Sequence, residues 1–273
     1  MRSPSGDSIT LTTGRYEAEL VEVGAGLRAL RRDGHDIVDG YGAGEMCSAG
    51  RGQLLIPWPN RVADGRYTYQ GEHRQLALTE PSHHNAIHGL TRWLAWRPLR
   101  RDGSSASYGL RLHPQPGYPH SLELRVDYAL ADSGLAVQVW ATNIGASPAP
   151  YGQGMHPYLT VGRRVDDCLL TLPADTYRTV DERGLPGDST SVDGSDYDFR
   201  SARAIGDTSL DHPFGTLNRD SDANARATLT DPATDRSVSL WADSAYPWLQ
   251  AFTGDTLGSQ ARTALAVEPM TCP

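Results

Sequence analysis

Three short segments of the sequence each place one ionisable side chain among small, rigid or apolar neighbours. The three side chains are His88 before Gly89, His156 before Pro157, and Glu268 before Pro269. Such neighbours fix a group and partly remove it from water, which adjusts its pKa for proton transfer. Because histidines and a carboxylate can donate and accept protons near neutral pH, these segments predict general acid–base chemistry.

Glu268 gives the strongest of these signals, because it lies in an otherwise apolar strand pattern over residues 264–270. An unpaired carboxylate is costly to bury, so Glu268 should have either a partner or a raised pKa. Pro157 restricts His156 to an extended backbone. His156 taken alone also fits a structural role, buried against a backbone carbonyl. His88, before a glycine, can lie at a strand end with its backbone close to a ligand.

Asn60 and Arg61 follow a segment that two prolines stiffen. Pro57 and Pro59 lie on either side of Trp58, so the backbone beside the aromatic ring has little freedom. A guanidinium beside an aromatic ring suits a sugar, because the ring stacks on apolar C–H faces and the arginine donates to hydroxyls. The segment taken alone also fits a surface loop with a structural arginine.

A cluster of histidines raises the hypothesis of a metal site at His83, His84 and His88. The second and third of these would share a face only in a helix, and Pro81 and Gly89 argue against a helix there. No glutamate follows His84, as a metalloprotease signature requires. We therefore expect no metal site.

The composition excludes several classes of function. A net charge of −8 and a pI near 5.5 argue against nucleic acid as a partner, because phosphate binding needs a basic face. The sequence has no lysine, which excludes a catalytic or Schiff-base lysine. Cys47, Cys168 and Cys272 are too few and too scattered for a disulfide framework or a zinc site.

No segment of the sequence predicts a membrane partner or secretion. Residues 1–7 lack the apolar run of a signal peptide, and no stretch approaches membrane-spanning length. We therefore expect a cytoplasmic protein. The sequence leaves open whether the chain is a monomer or a homodimer.

The elements that must position these side chains are predicted to be strands. Apolar residues alternate with polar ones over residues 122–130 and 135–141, with turn chemistry between them, which predicts a long hairpin. A second hairpin is predicted around a turn at 231–235. The stretches 184–207 and 218–224 are interpreted as exposed loops. No long segment has a helical period, so we expect one all-β domain over residues 1–273, a large antiparallel β-sandwich.

Six short motifs together resemble one family, the aldose 1-epimerases or galactose mutarotases. In chain order they are Asn60-Arg61, His88-Gly89, His156-Pro157-Tyr158, Asp211-His212-Pro213-Phe214, Gln250-Ala251-Phe252-Thr253-Gly254 and Glu268. The matching motifs span roughly residues 50–270. One departure is Met155, where the family often has an asparagine before the histidine.

The resemblance implies a galactose mutarotase-like sandwich that interconverts the α and β anomers of a free hexose such as galactose or glucose. It implies that Glu268 is the base at the C1 hydroxyl, His156 the acid at the ring oxygen, and His88 a group that orients or polarises the ring-oxygen end. It also implies four substrate-binding residues: Asn60, Arg61, Asp211 and Gln250. Because positioned acids and bases are sufficient for ring opening, no metal or cofactor is expected.

Three other functions remain open from the sequence. The segment from His88 to Arg92 looks partly like the His-Gly-Phe-x-Arg motif of hexose-6-phosphate 1-epimerases. Such an enzyme would need arginines for the phosphate, and the candidates are Arg92, Arg97, Arg163 and Arg164. A non-catalytic sugar-binding or sensor protein could use the same sandwich. A glycoside hydrolase would need two carboxylates at the bond, here Glu268 and Asp211.

Overall fold

The structure is a computed structural model that describes residues 3–273. Met1 and Arg2, part of the amino-terminal segment in which no signal peptide was expected, lie outside the described residues. Within the described range the chain forms β-strands and two short 3₁₀ helices, Val165–Asp167 and Gly258–Gln260. The prediction of an all-β chain is therefore confirmed.

The strands are numbered in chain order. The first thirteen are β1 (Ser8–Thr13), β2 (Tyr16–Val21), β3 (Leu27–Arg32), β4 (His35–Asp36), β5 (Leu54–Leu55), β6 (Arg61–Ala63), β7 (Arg66–Tyr69), β8 (Glu72–Gln75), β9 (Asn85–Ile87), β10 (Arg97–Arg101), β11 (Ser105–Leu112), β12 (Leu122–Ala131) and β13 (Gly134–Asn143). The others are β14 (Gly154–Met155), β15 (Tyr158–Leu159), β16 (Leu169–Thr171), β17 (Ala174–Val180), β18 (Pro186–Ser191), β19 (Arg203–Ala204), β20 (Asp211–Leu217), β21 (Ala225–Asp231), β22 (Arg236–Ala242), β23 (Trp248–Phe252) and β24 (Leu265–Met270).

The described chain divides into two compact units. Unit 1 contains the residues up to Gly34 together with Gly40–Gln153, and unit 2 contains His35–Asp39 and Gly154–Pro273. A single domain over residues 1–273 therefore stays a prediction. Among the described residues, no helix has the length and apolar character needed to cross a membrane.

Unit 1 is built from antiparallel strands. One sheet includes β1, β2 and β3 in that order, another has the order β10-β11-β12-β13, and the pairs β6–β9 and β7–β8 are separate. The predicted hairpin over 122–141 is confirmed, because β12 and β13 pair from Leu122 with Asn143 to Ala131 with Gly134. Side chains of β12 alternate between buried and exposed or partly exposed, as a strand with one covered face requires.

Unit 2 is a sandwich of two antiparallel sheets. Its larger sheet contains β18, β17, β20, β23 and β24 in that order, and both β14 and β15 pair with β24. Its smaller sheet has the order β19-β16-β21-β22. Apolar side chains from both sheets form one core, including Leu249 and Val267 from the larger sheet and Leu170, Leu229 and Val238 from the smaller. The hairpin predicted around 231–235 is β21 and β22.

The interpretation of residues 184–207 as an exposed loop is wrong. This stretch contains β18, which pairs with β17, and β19, which pairs with β16. Val192, Phe199 and Ile205 are almost fully buried in the core of unit 2. The other predicted loop, 218–224, is confirmed as a turn between β20 and β21.

Candidate functional site

Glu268 lies on β24, and the strands on both sides bring it polar neighbours. On one side, β23 places Gln250 directly opposite Glu268. On the other side, β14 and β15 flank His156 and pair with β24 in one continuous register. This register puts His156 opposite Glu268, although the two residues are far apart in the sequence.

His156 and Glu268 form a buried pair. His156 Nε2 lies 3.3 Å from Glu268 Oε1, and the two residues are only 5% and 3% exposed. The imidazole stacks on the Tyr158 ring, with the ring centroids 4.9 Å apart and the planes at 16°. The Val267 N–H donates to the Pro157 carbonyl at 3.2 Å, which ties the histidine segment to β24. An imidazole and a carboxylate are therefore held side by side.

Gln250 and Asp211 form a second polar pair in unit 2. Gln250 Nε2 donates to Asp211 Oδ1 at 2.6 Å. Gln250 is buried and Asp211 is partly exposed. An amide in contact with a carboxylate offers both donors and acceptors, which suits the recognition of hydroxyl groups.

The larger sheet of unit 2 separates its core side chains from these polar ones. Leu249 and Ala251 of β23 and Val267 of β24 belong to the core. Because side chains alternate along a strand, the intervening positions project from the opposite face. We call this opposite face the polar face; its members include Asp211, Trp248, Gln250, Phe252 and Glu268.

His88 and Asn60 are joined in unit 1 by two hydrogen bonds. The His88 N–H donates to the Asn60 carbonyl at 2.9 Å, and the Asn60 N–H donates to His88 Nδ1 at 3.2 Å. Since Nδ1 accepts a hydrogen bond, a neutral imidazole carries its proton on Nε2. His88 therefore presents Nε2 as a hydrogen-bond donor.

Arg61 is oriented by a carboxylate, Glu80. Arg61 Nε donates to Glu80 Oε2 at 3.0 Å and Arg61 Nη2 donates to Oε1 at 3.1 Å. Asn85 Nδ2 donates to the same carboxylate at 3.1 Å. Burial by itself would raise the pKa of Glu80, but the hydrogen bonds from Arg61 and Asn85 outweigh it and lower that pKa from 4.5. Glu80 is therefore ionised at neutral pH and fixes the guanidinium.

Gly89 allows the chain after His88 to lie directly against the Ile56 segment. The Leu90 N–H donates to the Ile56 carbonyl at 2.7 Å, and a Cβ on Gly89 would lie 2.1 Å from that carbonyl oxygen. Gly89 also has a φ of 70°, which other residues rarely adopt. This close approach fixes the backbone that carries His88.

Gly89→Ala is expected to destabilise the protein more than Gly71→Ala. Gly71 has a similar φ of 80° but nothing within 4 Å of an added Cβ, so it isolates the conformational cost, on the order of 1–2 kcal/mol. The clash at Ile56 should add at least about 1 kcal/mol to the loss at Gly89. Urea unfolding of both variants measures this difference, and equal losses would contradict the packing role of Gly89.

The histidines before His88 have separate partners. His84 Nδ1 lies 3.0 Å from Asp64 Oδ1, and His83 Nδ1 lies 3.3 Å from Glu80 Oε1. No helix runs through residues 83–89 of the described chain. The expectation that this segment is not helical is thus confirmed. The absence of a metal stays a prediction.

Three residues that shape these clusters were not singled out from the sequence: Glu80, Asn85 and Tyr158 in its role under the His156 ring. Glu80 contacts Arg61 only because β6 and β9 bring distant segments together. No local pattern around Glu80 signals that contact. Tyr158 lay in a noted motif, and its stacking on the histidine follows from the extended backbone, in which residues two apart project from the same face.

The comparison with known families decides the family of the chain. A family model described as aldose 1-epimerase matches residues 7–273. The chain belongs to the aldose 1-epimerase family. The resemblance found in the six motifs is therefore confirmed. Two relatives and one crystal structure show how far this similarity extends.

The chain is 42% identical over 271 residues to the uncharacterized protein YihR of Escherichia coli K12, with 98% of this chain and 85% of YihR covered. It is 28% identical over 226 residues to the aldose 1-epimerase of the same organism, with 76% of this chain and 64% of that enzyme covered. The crystal structure of a galactose 1-epimerase from Lactobacillus acidophilus matches with a TM-score of 0.81 and 26% identity, covering 97% and 86% of the two chains. The galactose mutarotase-like fold is confirmed.

Of the arginines considered for a phosphate, two have carboxylate partners. Arg163 contacts Asp167 and Arg164 contacts Asp166. Arg97 is exposed on β10. Arg92 differs from these three exposed arginines because it is partly buried. Within residues 3–273 it forms no ion pair.

Glu80→Gln is expected to lower kcat/KM for a sugar by about tenfold or more, mainly through KM, because Arg61 loses its charged hydrogen-bond partner. Glu72→Gln is the matched control, since Glu72 forms an exposed ion pair with Arg74 elsewhere in unit 1. Steady-state kinetics of both variants measure the effect. A Glu80→Gln enzyme with the kinetics of the control would refute the positioning role.

The same variant gives a pH test of Glu80. The pKa of Glu80 is lowered by folding, so its ionised form adds stability above its unfolded value near 4.5. That contribution is lost as the pH falls through the lower folded value. The difference in free energy of unfolding between wild type and Glu80→Gln should therefore be largest near neutral pH and shrink in acid. A difference that grows in acid would contradict the lowered pKa.

Proposed function

We propose that the protein is an aldose 1-epimerase that interconverts the α and β anomers of a free hexose. The observation that carries the proposal is the buried contact of 3.3 Å between His156 Nε2 and Glu268 Oε1. Anomer interconversion needs one proton removed from the C1 hydroxyl and one delivered to the ring oxygen. Both oxygens are bonded to the same carbon, so the acid and the base must be neighbours, as these two side chains are.

In the proposed mechanism, Glu268 removes the proton of the C1 hydroxyl while His156 protonates the ring oxygen. The C1–O5 bond breaks and C1 becomes the aldehyde carbon. After rotation about the C1–C2 bond, the O5 hydroxyl attacks the other face of the aldehyde. His156 then takes the O5 proton and Glu268 returns a proton to O1, so both groups end in their starting states.

The remaining site residues are proposed to hold the sugar. Gln250 and Asp211 bind hydroxyls through the amide–carboxylate pair. His88 donates from Nε2 toward the ring-oxygen end, and Arg61, fixed by Glu80, positions the sugar together with Asn60. The family resemblance supports the assignment of all these residues to one substrate.

Relatives support the reaction class and leave the sugar open. One matched relative is an aldose 1-epimerase by name, and one matched structure is a galactose 1-epimerase. The chain covers 64% of the first of these enzymes, so its activity and substrate are proposals for this protein. A cytoplasmic location likewise stays a prediction.

Polarimetry of freshly dissolved α-D-galactose and α-D-glucose tests the proposal. The protein should accelerate the approach to the equilibrium rotation of at least one of these sugars. Binding of a sugar without acceleration would favour the non-catalytic sugar-binding function instead. Release of a free alcohol from a glycoside would favour the hydrolase, which needs Asp211 near the scissile bond.

A further inference from the structure

His212 lies on the core side of β20, directly after Asp211, which lies on the polar face. It pairs with Ala251 of β23, whose side chain belongs to the core of unit 2, whereas Asp211 pairs with Phe252. Pro213 follows and restricts His212 to an extended backbone. The side chains of His212 and Asp211 therefore project from opposite faces of the sheet.

The His212 imidazole accepts a hydrogen bond from the backbone of its neighbour. The Asp211 N–H donates to His212 Nδ1 at 3.1 Å. The antiparallel ladder between β17 and β20 ends at Tyr177 and Phe214, and Pro213 has no N–H to extend it. The imidazole therefore supplies an acceptor for the Asp211 N–H beyond the end of this ladder.

Two tyrosine rings hold the imidazole in this orientation. The Tyr197 ring centroid lies 4.7 Å from that of His212, with the planes at 50°. The Tyr177 ring of β17 meets the imidazole edge-on, with centroids 5.8 Å apart and planes at 82°. The two phenols contact each other and pack against the core of unit 2. The imidazole therefore has a defined place between the core and the end of β20.

The hydrogen bond requires a neutral His212. Nδ1 accepts a hydrogen bond only when it carries no proton, so the neutral ring has its proton on Nε2. Burial lowers the pKa of His212 from 6.5, and the Asp211 carboxylate partly opposes this shift. The titratable groups facing the ring are Tyr177 of β17, Tyr197 between β18 and β19, and Asp211 itself, while β23 contributes the apolar Ala251. His212 is therefore neutral at neutral pH and can accept.

The residue whose backbone His212 holds also carries a carboxylate of the candidate site. Asp211 Oδ1 accepts from Gln250 Nε2 at 2.6 Å. Gln250 is buried, and its backbone is fixed by the pairing of β23 with β24. A shift of the Asp211 backbone would thus move the carboxylate relative to a fixed amide. The His212 imidazole therefore helps to set the geometry of the amide–carboxylate pair.

We propose that His212 is a positioning residue for sugar binding: while neutral, it holds the Asp211 backbone so that the Asp211 carboxylate and Gln250 together receive the sugar hydroxyls. The inference rests on the proposed function, which assigns Asp211 and Gln250 to those hydroxyls. Protonation of Nδ1 converts the acceptor into a donor that opposes the Asp211 N–H. Sugar binding should therefore weaken in acid, although the histidine does not touch the sugar.

Two replacements of His212 test this role. Asparagine places Oδ1 where the imidazole has Nδ1, so it can accept the same N–H but does not titrate. Leucine has the branching of asparagine and no acceptor. In steady-state interconversion of glucose or galactose anomers, His212→Leu should raise KM about 3- to 10-fold with little change in kcat, and His212→Asn should stay within about twofold of the wild type. A purely structural role would lower the active fraction, and so kcat, without raising KM.

The pH dependence of KM is the second measurement. Between about pH 7 and about pH 5, KM of the wild type should rise more steeply than KM of His212→Asn, because only the wild type titrates at position 212. Other titrating groups of the site are common to both proteins. His35→Leu is the control, because His35 is an exposed histidine of unit 2, and it should match the wild type throughout.

The outcomes separate this inference from the proposed function. An unchanged KM in His212→Leu would overturn the positioning role, and so would an equal pH dependence of KM in His212→Asn and the wild type. Both results leave anomer interconversion by the wild type intact. Turnover of neither sugar by the wild type would overturn the inference together with the proposed function.

Discussion

Replacing Glu268 by glutamine is expected to slow enzymatic anomer interconversion by about 10²–10⁴-fold, the usual contribution of one positioned proton-transfer group. The amide keeps the shape of the side chain but cannot accept the C1 hydroxyl proton. Glu268 is only 3% exposed, so the amide should occupy the same position as the carboxylate that it replaces. Polarimetry with α-D-glucose and α-D-galactose measures the loss.

Gln250→Glu is an informative counterpart to Glu268→Gln. It adds a carboxylate on the adjacent strand, directly opposite position 268. The double variant restores the number of carboxylates without restoring the contact with His156, so we expect it to stay inactive. Near-normal turnover in Glu268→Gln, with unfolding curves like those of the wild type, would refute Glu268 as the base.

Replacing His156 by alanine is expected to slow anomer interconversion by a similar factor, because the ring oxygen no longer receives a proton. The substitution also leaves a space beside Tyr158, where the imidazole is stacked. Added imidazole should therefore restore part of the rate. The measurement is the initial rate of mutarotation against imidazole concentration, at a fixed pH.

The rescue separates a catalytic role of His156 from a structural one. Imidazole should not restore activity to Glu268→Gln, which retains its own histidine. Full activity in His156→Ala without imidazole would exclude the histidine as the acid. A loss that imidazole cannot reverse, in a folded variant, would assign His156 a positioning role only.

The hairpin of β12 and β13 could be predicted because its alternating pattern is local and one of its faces packs against the core.

The error at 184–207 has a physical cause. β18 is an edge strand whose side chains are mostly exposed, so its sequence, Pro186–Ser191, carries no apolar alternation. Its apolar anchors, such as Phe199, are isolated in the sequence and join the core only through tertiary packing.

Those residues of the candidate site that have distinctive neighbours in the sequence could be predicted. His156 and Glu268 each stood out because an ionisable group lay among apolar or rigid neighbours. Their contact could not be predicted, since it depends on the register of β14 and β15 against β24. Glu80 could not be found either, because only long-range strand pairing brings it to Arg61.

The most direct test of acid–base anomer interconversion is exchange NMR of the anomeric protons of a sugar already at equilibrium. At equilibrium nothing changes in composition, so exchange between the α and β signals reports ring opening and closure alone. We predict exchange cross-peaks with catalytic amounts of the wild type and none above the uncatalysed rate with Glu268→Gln. Sugar signals broadened by binding, without exchange between the anomers of either glucose or galactose, would contradict the account.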